Sequence, residues 1–212
     1  MSEGPFRVPV FPLAGALLFP HSQLPLHIFE PRYRAMVKDA LEGKGLIAMV
    51  QPKGGSDDRP DLFDIGCLGQ IVASDALDDG RYNIVLEGVK RFRIAREVPV
   101  DTAYRQLEID LRPFARDEDE PDPLASIQRA DLERESRRYA DALGYSVDWN
   151  AVSRLDDEML VNGIAQIAPF DVGSKQALLE ANTIADRADL IVQFMQFQVM
   201  VPGGADMPET LQ

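Results

Sequence analysis

Two histidines, His21 and His27, and one cysteine, Cys67, are the side chains of this 212-residue sequence best suited to bind a metal or attack a carbonyl. Together they leave a tetrahedral site one ligand short, and no fourth is suggested by the spacing. The histidines read instead as loop and strand-edge residues. Cys67, between Gly66 and Leu68, reads as a structural thiol. Gly144-Tyr145-Ser146-Val147-Asp148 begins as a nucleophile elbow does, but ends on aspartate where that turn needs glycine. The glycines near Lys44 and Lys175 lack the spacing that wraps N–H groups around a phosphate, and there is no Gly-x-Gly-x-x-Gly or His-Glu-x-x-His. The run Asp117-Glu118-Asp119-Glu120-Pro121-Asp122 is acidic enough to attract cations, yet it has neither the glycine turn nor the ligand order of a calcium loop. No cofactor, metal or catalytic residue is expected, and the chain is read as a binding protein rather than an enzyme.

Charge narrows the partners. Residues 1–112 carry 14 Lys/Arg and 16 Asp/Glu, and residues 113–212 carry 8 and 19, so most of the net charge of −13 falls in the second part. Nucleic-acid binding requires Lys or Arg to replace counterions, so this balance disfavours it. The longest apolar run, Val8 to Pro20, is interrupted by Pro9 and Pro12 and is too short to span a bilayer. A lone cysteine forms no internal disulfide and suits a reducing compartment. The expectation is a soluble cytoplasmic protein.

The elements that would position a site change period along the chain. Up to residue 112 the pattern is mainly that of strands. Leu46–Val50 is a short apolar run ended by Pro52-Lys53-Gly54-Gly55. Apolar stretches flank Asp78-Asp79-Gly80, a hairpin signal, and Leu107, Ile109 and Leu111 alternate. One helix interrupts them, starting at Pro31 with Tyr33, Met36, Val37, Ala40 and Leu41 at helical spacing and stopping at Gly43. Residues 113–123 combine charge with proline and are assigned to a linker. Residues 124–202 then read as a helical bundle. Leu132, Ser136, Tyr139 and Leu143 mark one helix, and Ser153-Arg154-Leu155-Asp156 resembles a capping box ahead of the next. A short helix carries Leu178 and Leu179, and a last one, capped by Thr183 and Asp186, has two apolar stripes. Residues 203–212 are read as a flexible tail. The fold class is α+β.

Three motifs carry a family resemblance. Val8-Pro9-Val10-Phe11-Pro12-Leu13, Leu17-Leu18-Phe19-Pro20 and Phe29-Glu30-Pro31-Arg32-Tyr33-Arg34 follow one another as in the opening of the Lon protease N-terminal, substrate-recognition domain. Gly80-Arg81-Tyr82-Asn83-Ile84-Val85-Leu86-Glu87-Gly88-Val89-Lys90-Arg91-Phe92-Arg93-Ile94 resembles that family's second signature, and Lys175-Gln176-Ala177-Leu178-Leu179-Glu180 and Ala185-Asp186-Arg187-Ala188 are similar to its helical part. The resemblance implies a PUA-like β-rich domain, a twisted sheet or partial barrel with one helix, followed by a helical bundle. It also implies a module that recognises unfolded or partner polypeptide. The ATPase and Ser-Lys protease that follow this domain in Lon proteases have no counterpart in the chain.

Pro9 and Pro12 remove ladder donors, which predicts a first strand that lies at a sheet edge or is interrupted by bulges, and an edge strand of this kind would be open to strand addition. Leu17, Leu18, Phe19 and Pro20 are expected to supply the exposed apolar surface, with Phe19 as anchor and Tyr33 and Tyr82 at its border. Phe11 and Leu13 are assigned to the core. Glu30 is expected to cap the helix that starts at Pro31 and to pair with Arg91 or Arg93. Arg32 and Gly88 are taken as structural parts of the signatures. The alternative reading is RNA binding, resting on the basic cluster Lys90, Arg91, Arg93 and Arg96. The purified protein is expected to hydrolyse neither ATP nor casein. ATP-independent casein degradation by protein from a protease-deficient host would contradict the non-enzymatic reading.

Overall fold

The structure, a computed structural model, describes residues 5–55 and 59–200. Strands β1 (Phe6–Pro12) and β2 (Gln23–Ile28) precede helix α1 (Pro31–Glu42) and strand β3 (Leu46–Val50). A small hairpin, β4 (Pro52–Gly55) and β5 (Pro60–Leu62), leads to the long strands β6 (Ile65–Ala76) and β7 (Tyr82–Val98), then β8 (Gln106–Asp110). A 3-10 segment, Arg112–Glu118, comes before helices α2 (Ser126–Leu143), α3 (Trp149–Val152), α4 (Asp157–Ile167), α5 (Val172–Glu180) and α6 (Ile184–Met200). A mixed sheet and helices thus make an α+β chain. It divides into two compact units: residues up to 120 together with 171–180, and residues 121–170 together with those from 181 on.

In the first unit the strand order is β2-β7-β6-β3-β1-β8, and β8 also pairs with β7, so the sheet closes on itself. Closure works because β7 is long enough to serve two neighbours along one edge. Residues 82–87 pair with β2, and residues 93–98 pair with β8. The inward faces of the strands meet in a core of Val8, Val10, Ala48, Val50, Leu68, Phe92, Leu107 and Ile109. Phe11 packs on Tyr33 of α1 with ring centroids 4.5 Å apart, so this helix rests on β1.

β1 is not an edge strand. It pairs antiparallel with β8 over Phe6–Pro9 and parallel with β3 over Val10–Pro12. The prolines fit because the pairing changes partner between them. Val10 N–H reaches Arg105 O beside β8, and Leu13 N–H reaches Val50 O at the end of β3. Backbone groups alternate sides along a strand, so Pro9 would have donated toward β3 just before that pairing begins. Pro12 would have donated past the end of β8.

The segment after β1 crosses the sheet rather than skirting it. Pro20 bridges Gly88 of β7, His21 N–H donates to Gly88 O, and Gly88 N–H donates to Ser22 O. A Cβ on Gly88 would lie 1.9 Å from Phe19 O, and one on Gly69 would lie 2.8 Å from Leu18 Cδ2. Only glycine permits the backbone approach at Gly88, whereas at Gly69 a Cβ would force the Leu18 methyl to shift.

The charged stretch after β8 belongs to the sheet unit up to residue 120, which corrects its assignment to a linker from residue 113. Asp117 is buried, and its carboxylate accepts from Arg91 Nε at 3.0 Å, Arg91 Nη2 at 2.7 Å and the Arg91 backbone N–H at 2.9 Å. The last β8–β7 pair is Asp110 with Arg93, so this carboxylate takes up a β7 donor that the ladder has already passed. Arg91 Nη1 donates to Leu179 O of α5 at 3.0 Å, and its guanidinium lies 4.8 Å from the Phe114 ring centre.

Helix α5 is likewise part of the sheet unit, not of the helical one. Buried Lys175 donates to Gly15 O at 2.6 Å, and burial pulls its pKa down. Gln176 donates to Ile65 O at 3.1 Å and accepts from Gln51 Nε2 at 3.2 Å. These polar groups make the helix specific for the sheet.

The second unit contains α2, α3, α4 and α6. Leu132, Ser136 and Tyr139 of α2 are buried, whereas Leu143 is exposed, and α2 stops at Gly144 with φ 74°. Phe170 stands 6.0 Å from Tyr139 and 5.6 Å from Phe194 of α6. Thr183 and Asp186 cap α6 reciprocally. Asp156, not Ser153, caps α4 by accepting from Met159 N–H at 2.7 Å. Helix α6 buries one stripe, Ile184, Ala188, Ile191 and Met195, and leaves Phe197 and Met200 exposed. Val201 and the tail from 203 lie outside the described residues.

Asp117→Ala should lower unfolding free energy by about 3–5 kcal/mol, because it strands a buried guanidinium. Urea unfolding checks this, and a loss below about 1 kcal/mol would show the pair to be dispensable.

Candidate functional site

The residues expected to form the binding surface are mostly inside. Leu17, Leu18 and Phe19 are each at most 1% exposed, and Pro20 is buried. Tyr33 is buried under Arg32 and against Phe11, and burial raises the pKa of its hydroxyl. Tyr82 is half-buried at the start of β7. The physical reason is the crossing at Gly88. A backbone pinned across the sheet carries its side chains into the space that Gly69 and Gly88 leave open.

Glu30 also differs from expectation. It occupies the N-cap position of α1 with no side-chain cap bond, and its carboxylate turns to Arg32 Nε at 2.9 Å. Arg91 pairs with Asp117 instead, and among the described residues Glu30 pairs with Arg32 rather than with Arg91 or Arg93. Its neighbour Pro31 does sit at the first turn of α1.

The surface that is open lies along β2, β7 and β6. A groove of about 510 Å³ is lined by residues 25–27, 83–85 and 73–75 of those strands. Strand register sets the rows. Pro25, Val85 and Ala73 stand side by side, and His27, Asn83 and Asp75 form the next row. One row is apolar and the next polar because these side chains point outward, while Leu86 and Ile84 point into the core. Gln23 and Glu87 make the row on the other side, joined at 3.4 Å. Phe29, 60% exposed, stacks on His27 with centroids 6.3 Å apart, and Val72 is 47% exposed on β6.

His27 is held at both ring nitrogens. Arg81 Nη1 lies 3.2 Å from Nε2, and Asn83 Oδ1 lies 2.7 Å from Nδ1. A guanidinium only donates, so Nε2 is the acceptor and Nδ1 carries the hydrogen given to Asn83.

The strand edge at this site is β2, the end of the sheet order. Gly88 N–H donates to Ser22 O, and alternation then turns Leu24, Leu26 and Ile28 toward β7 and Gln23, Pro25 and His27 outward. Pro25 therefore removes a donor from the open edge, a device that blunts strand addition. The groove face, not the edge, is the more open docking surface. Gln23–Ile28 alternates at period two with a proline in it, so the sequence did hold an edge-strand signal here.

The basic cluster is largely neutralised. Lys90 donates to Glu118 at 2.8 Å, Arg91 is buried on Asp117, Arg96 pairs with Glu108, and Arg93 is exposed. Cys67 is buried, and among the described residues no three His, Cys, Asp or Glu side chains are grouped to hold a metal. No described helix is long and apolar enough to cross a membrane.

Residues 7–196 match the family described as the ATP-dependent protease La (LON) substrate-binding domain. Lon protease 2 of Sorangium cellulosum is 26% identical over 211 residues, which cover 92% of this chain and 25% of that protein. A Lon protease of Desulfosudis oleivorans is 24% identical over 201 residues, covering 93% of this chain and 24% of that protein. The chain thus spans about a quarter of the length of these curated relatives. A Lon N-terminal domain protein from Xanthomonas campestris has a crystal structure that superposes with a TM-score of 0.63 at 20% identity, covering 90% of this chain and 99% of that one. The N-terminal domain of the Mycobacterium avium complex Lon protease gives 0.61 at 18% identity, with 90% and 98% covered. At these identities the structural likeness is one of fold.

Phe19→Ala should cost about 3–5 kcal/mol of stability, the range for emptying a buried aromatic site. Urea unfolding of the variant tests the assignment, and unchanged stability would put Phe19 back on the surface.

Proposed function

The chain belongs to the LON substrate-binding domain family, and from that membership we propose that it is a non-catalytic module that recognises unfolded or partner polypeptide through the β2–β7–β6 groove. The observation that carries this reading is the outward row Pro25, Val85 and Ala73. Apolar side chains there line an open groove instead of filling the core. A groove with apolar walls and a few fixed polar groups suits side chains of an extended segment. His27 and Asn83 supply those polar groups, oriented by Arg81.

The matched region is the substrate-binding part of proteins named Lon protease, which supports recognition rather than hydrolysis as the task of this chain. Polypeptide is favoured over RNA because three of the four cations once grouped as a basic patch are engaged by carboxylates. A phosphate backbone would have to displace those carboxylates before any counterion release could favour binding. A cytoplasmic location fits the single buried thiol.

Lysozyme kept unfolded by reduction and neutral alkylation serves as the probe. Ala73→Gln fills the groove without adding charge at an exposed position. It should weaken binding by about fivefold or more, the scale of losing a modest interface contact, with the melting temperature unchanged. Equal affinity with intact folding would remove the groove from the function.

A further inference from the structure

We propose that the groove selects extended segments in which an apolar residue is flanked by lysine or arginine, and disfavours the same segments flanked by glutamate or aspartate. This rests on the polypeptide-binding reading above and adds the chemical class of the bound segment.

The apolar row of Pro25, Val85 and Ala73 lies between two rows that each contain a carboxylate. Asp75 stands beside Asn83 on one side, and Glu87 stands beside Gln23 on the other. Both are exposed, and neither forms an ion pair among the described residues. Of the cations nearby, one is matched by a carboxylate and one lies at the adjacent turn. Arg81 is held by Asp79 at 2.6 Å, and Arg34 approaches the same turn, which also contains Asp78. His27 is held between Arg81 and Asn83. Asp75 lines the groove and Glu87 stands one row beyond the apolar row, so two carboxylates without an ion pair among the described residues flank that row.

Spacing fits a short extended segment. Asn83 and Glu87 are four residues apart on β7, about 13 Å at a strand's rise per residue. An apolar side chain seated on the Pro25–Val85–Ala73 row would have neighbours within lysine reach of both carboxylates. Exposed pairs of this kind contribute little to affinity individually, so their effect is selectivity that salt removes.

The test uses the full chain and three labelled peptides with one apolar centre and Lys, Ser or Glu on both sides, followed by fluorescence anisotropy at about 50 mM and 500 mM salt. The Lys peptide should bind about tenfold more tightly than the Glu peptide at low salt, with the Ser peptide between them, and the three should converge at high salt. The double variant Asp75→Asn, Glu87→Gln preserves shape at two exposed positions and should reduce the Lys-to-Glu ratio to about threefold or less. A ratio near one in the wild type, or an unchanged ratio in the double variant, overturns the charge selectivity. If the peptides bind equally but Ala73→Gln weakens all of them, the groove stands and the selectivity falls. Failure of every peptide to bind wild type would sink both.

Discussion

The fold of the first unit depends on one strand meeting more partners than a strand normally has. β7 gives one edge to β6 and divides the other between β2 and β8. The division closes the sheet, leaves β2 as a strand outside the ring, and opens a gap in the ladder between residues 87 and 93. Two other features of the unit answer that gap. The backbone groups exposed there must be paired, since a buried unpaired donor or acceptor costs as much as a lost hydrogen bond.

Two segments from opposite ends of the unit's sequence fill it. The chain after β1 lays Pro20–Ser22 against Gly88, and the carboxylate of Asp117 takes the Arg91 N–H. The first solution draws Leu17, Leu18 and Phe19 inward and requires glycine where the backbones touch. The second turns an acidic run into a structural part, because a single buried carboxylate satisfies both a backbone donor and the Arg91 side chain. Arg91 then holds α5 through Leu179 O, so the same guanidinium fixes three segments that are remote in sequence. Such a buried pair specifies an arrangement more than it adds net stability, since desolvation offsets much of its attraction.

What closure leaves over is the groove. β2 cannot be covered by β8, which has been used further along β7, so its outer edge and the outward face of β2, β7 and β6 stay open. Pro25 protects the edge while its ring contributes to the apolar row. A structural device against unwanted strand pairing and a surface suited to side-chain recognition thus reside in the same residue.

The sequence by itself determined the local elements. Helix α1 from Pro31 to its stop at Gly43, the strand Leu46–Val50, the hairpin around Gly80 and the Thr183–Asp186 cap follow from period and from turn or cap chemistry, all of which act within a few residues. The family signatures were legible for a related reason, as their prolines and glycines have fixed backbone uses. Tertiary structure alone decided which apolar side chains were hidden and which were offered. Phe19 and Pro25 both lie in proline-broken apolar stretches, yet Phe19 is buried by a crossing over a residue 69 positions away, while Pro25 is left out by the way β7 shares its edge. The same holds for Asp117 and for Lys175 and Gln176, polar residues whose partners at Arg91, Gly15 and Ile65 are 26, 160 and 111 positions distant. A local pattern records propensity and period, but burial depends on which distant backbone arrives, and that is settled only when the sheet closes.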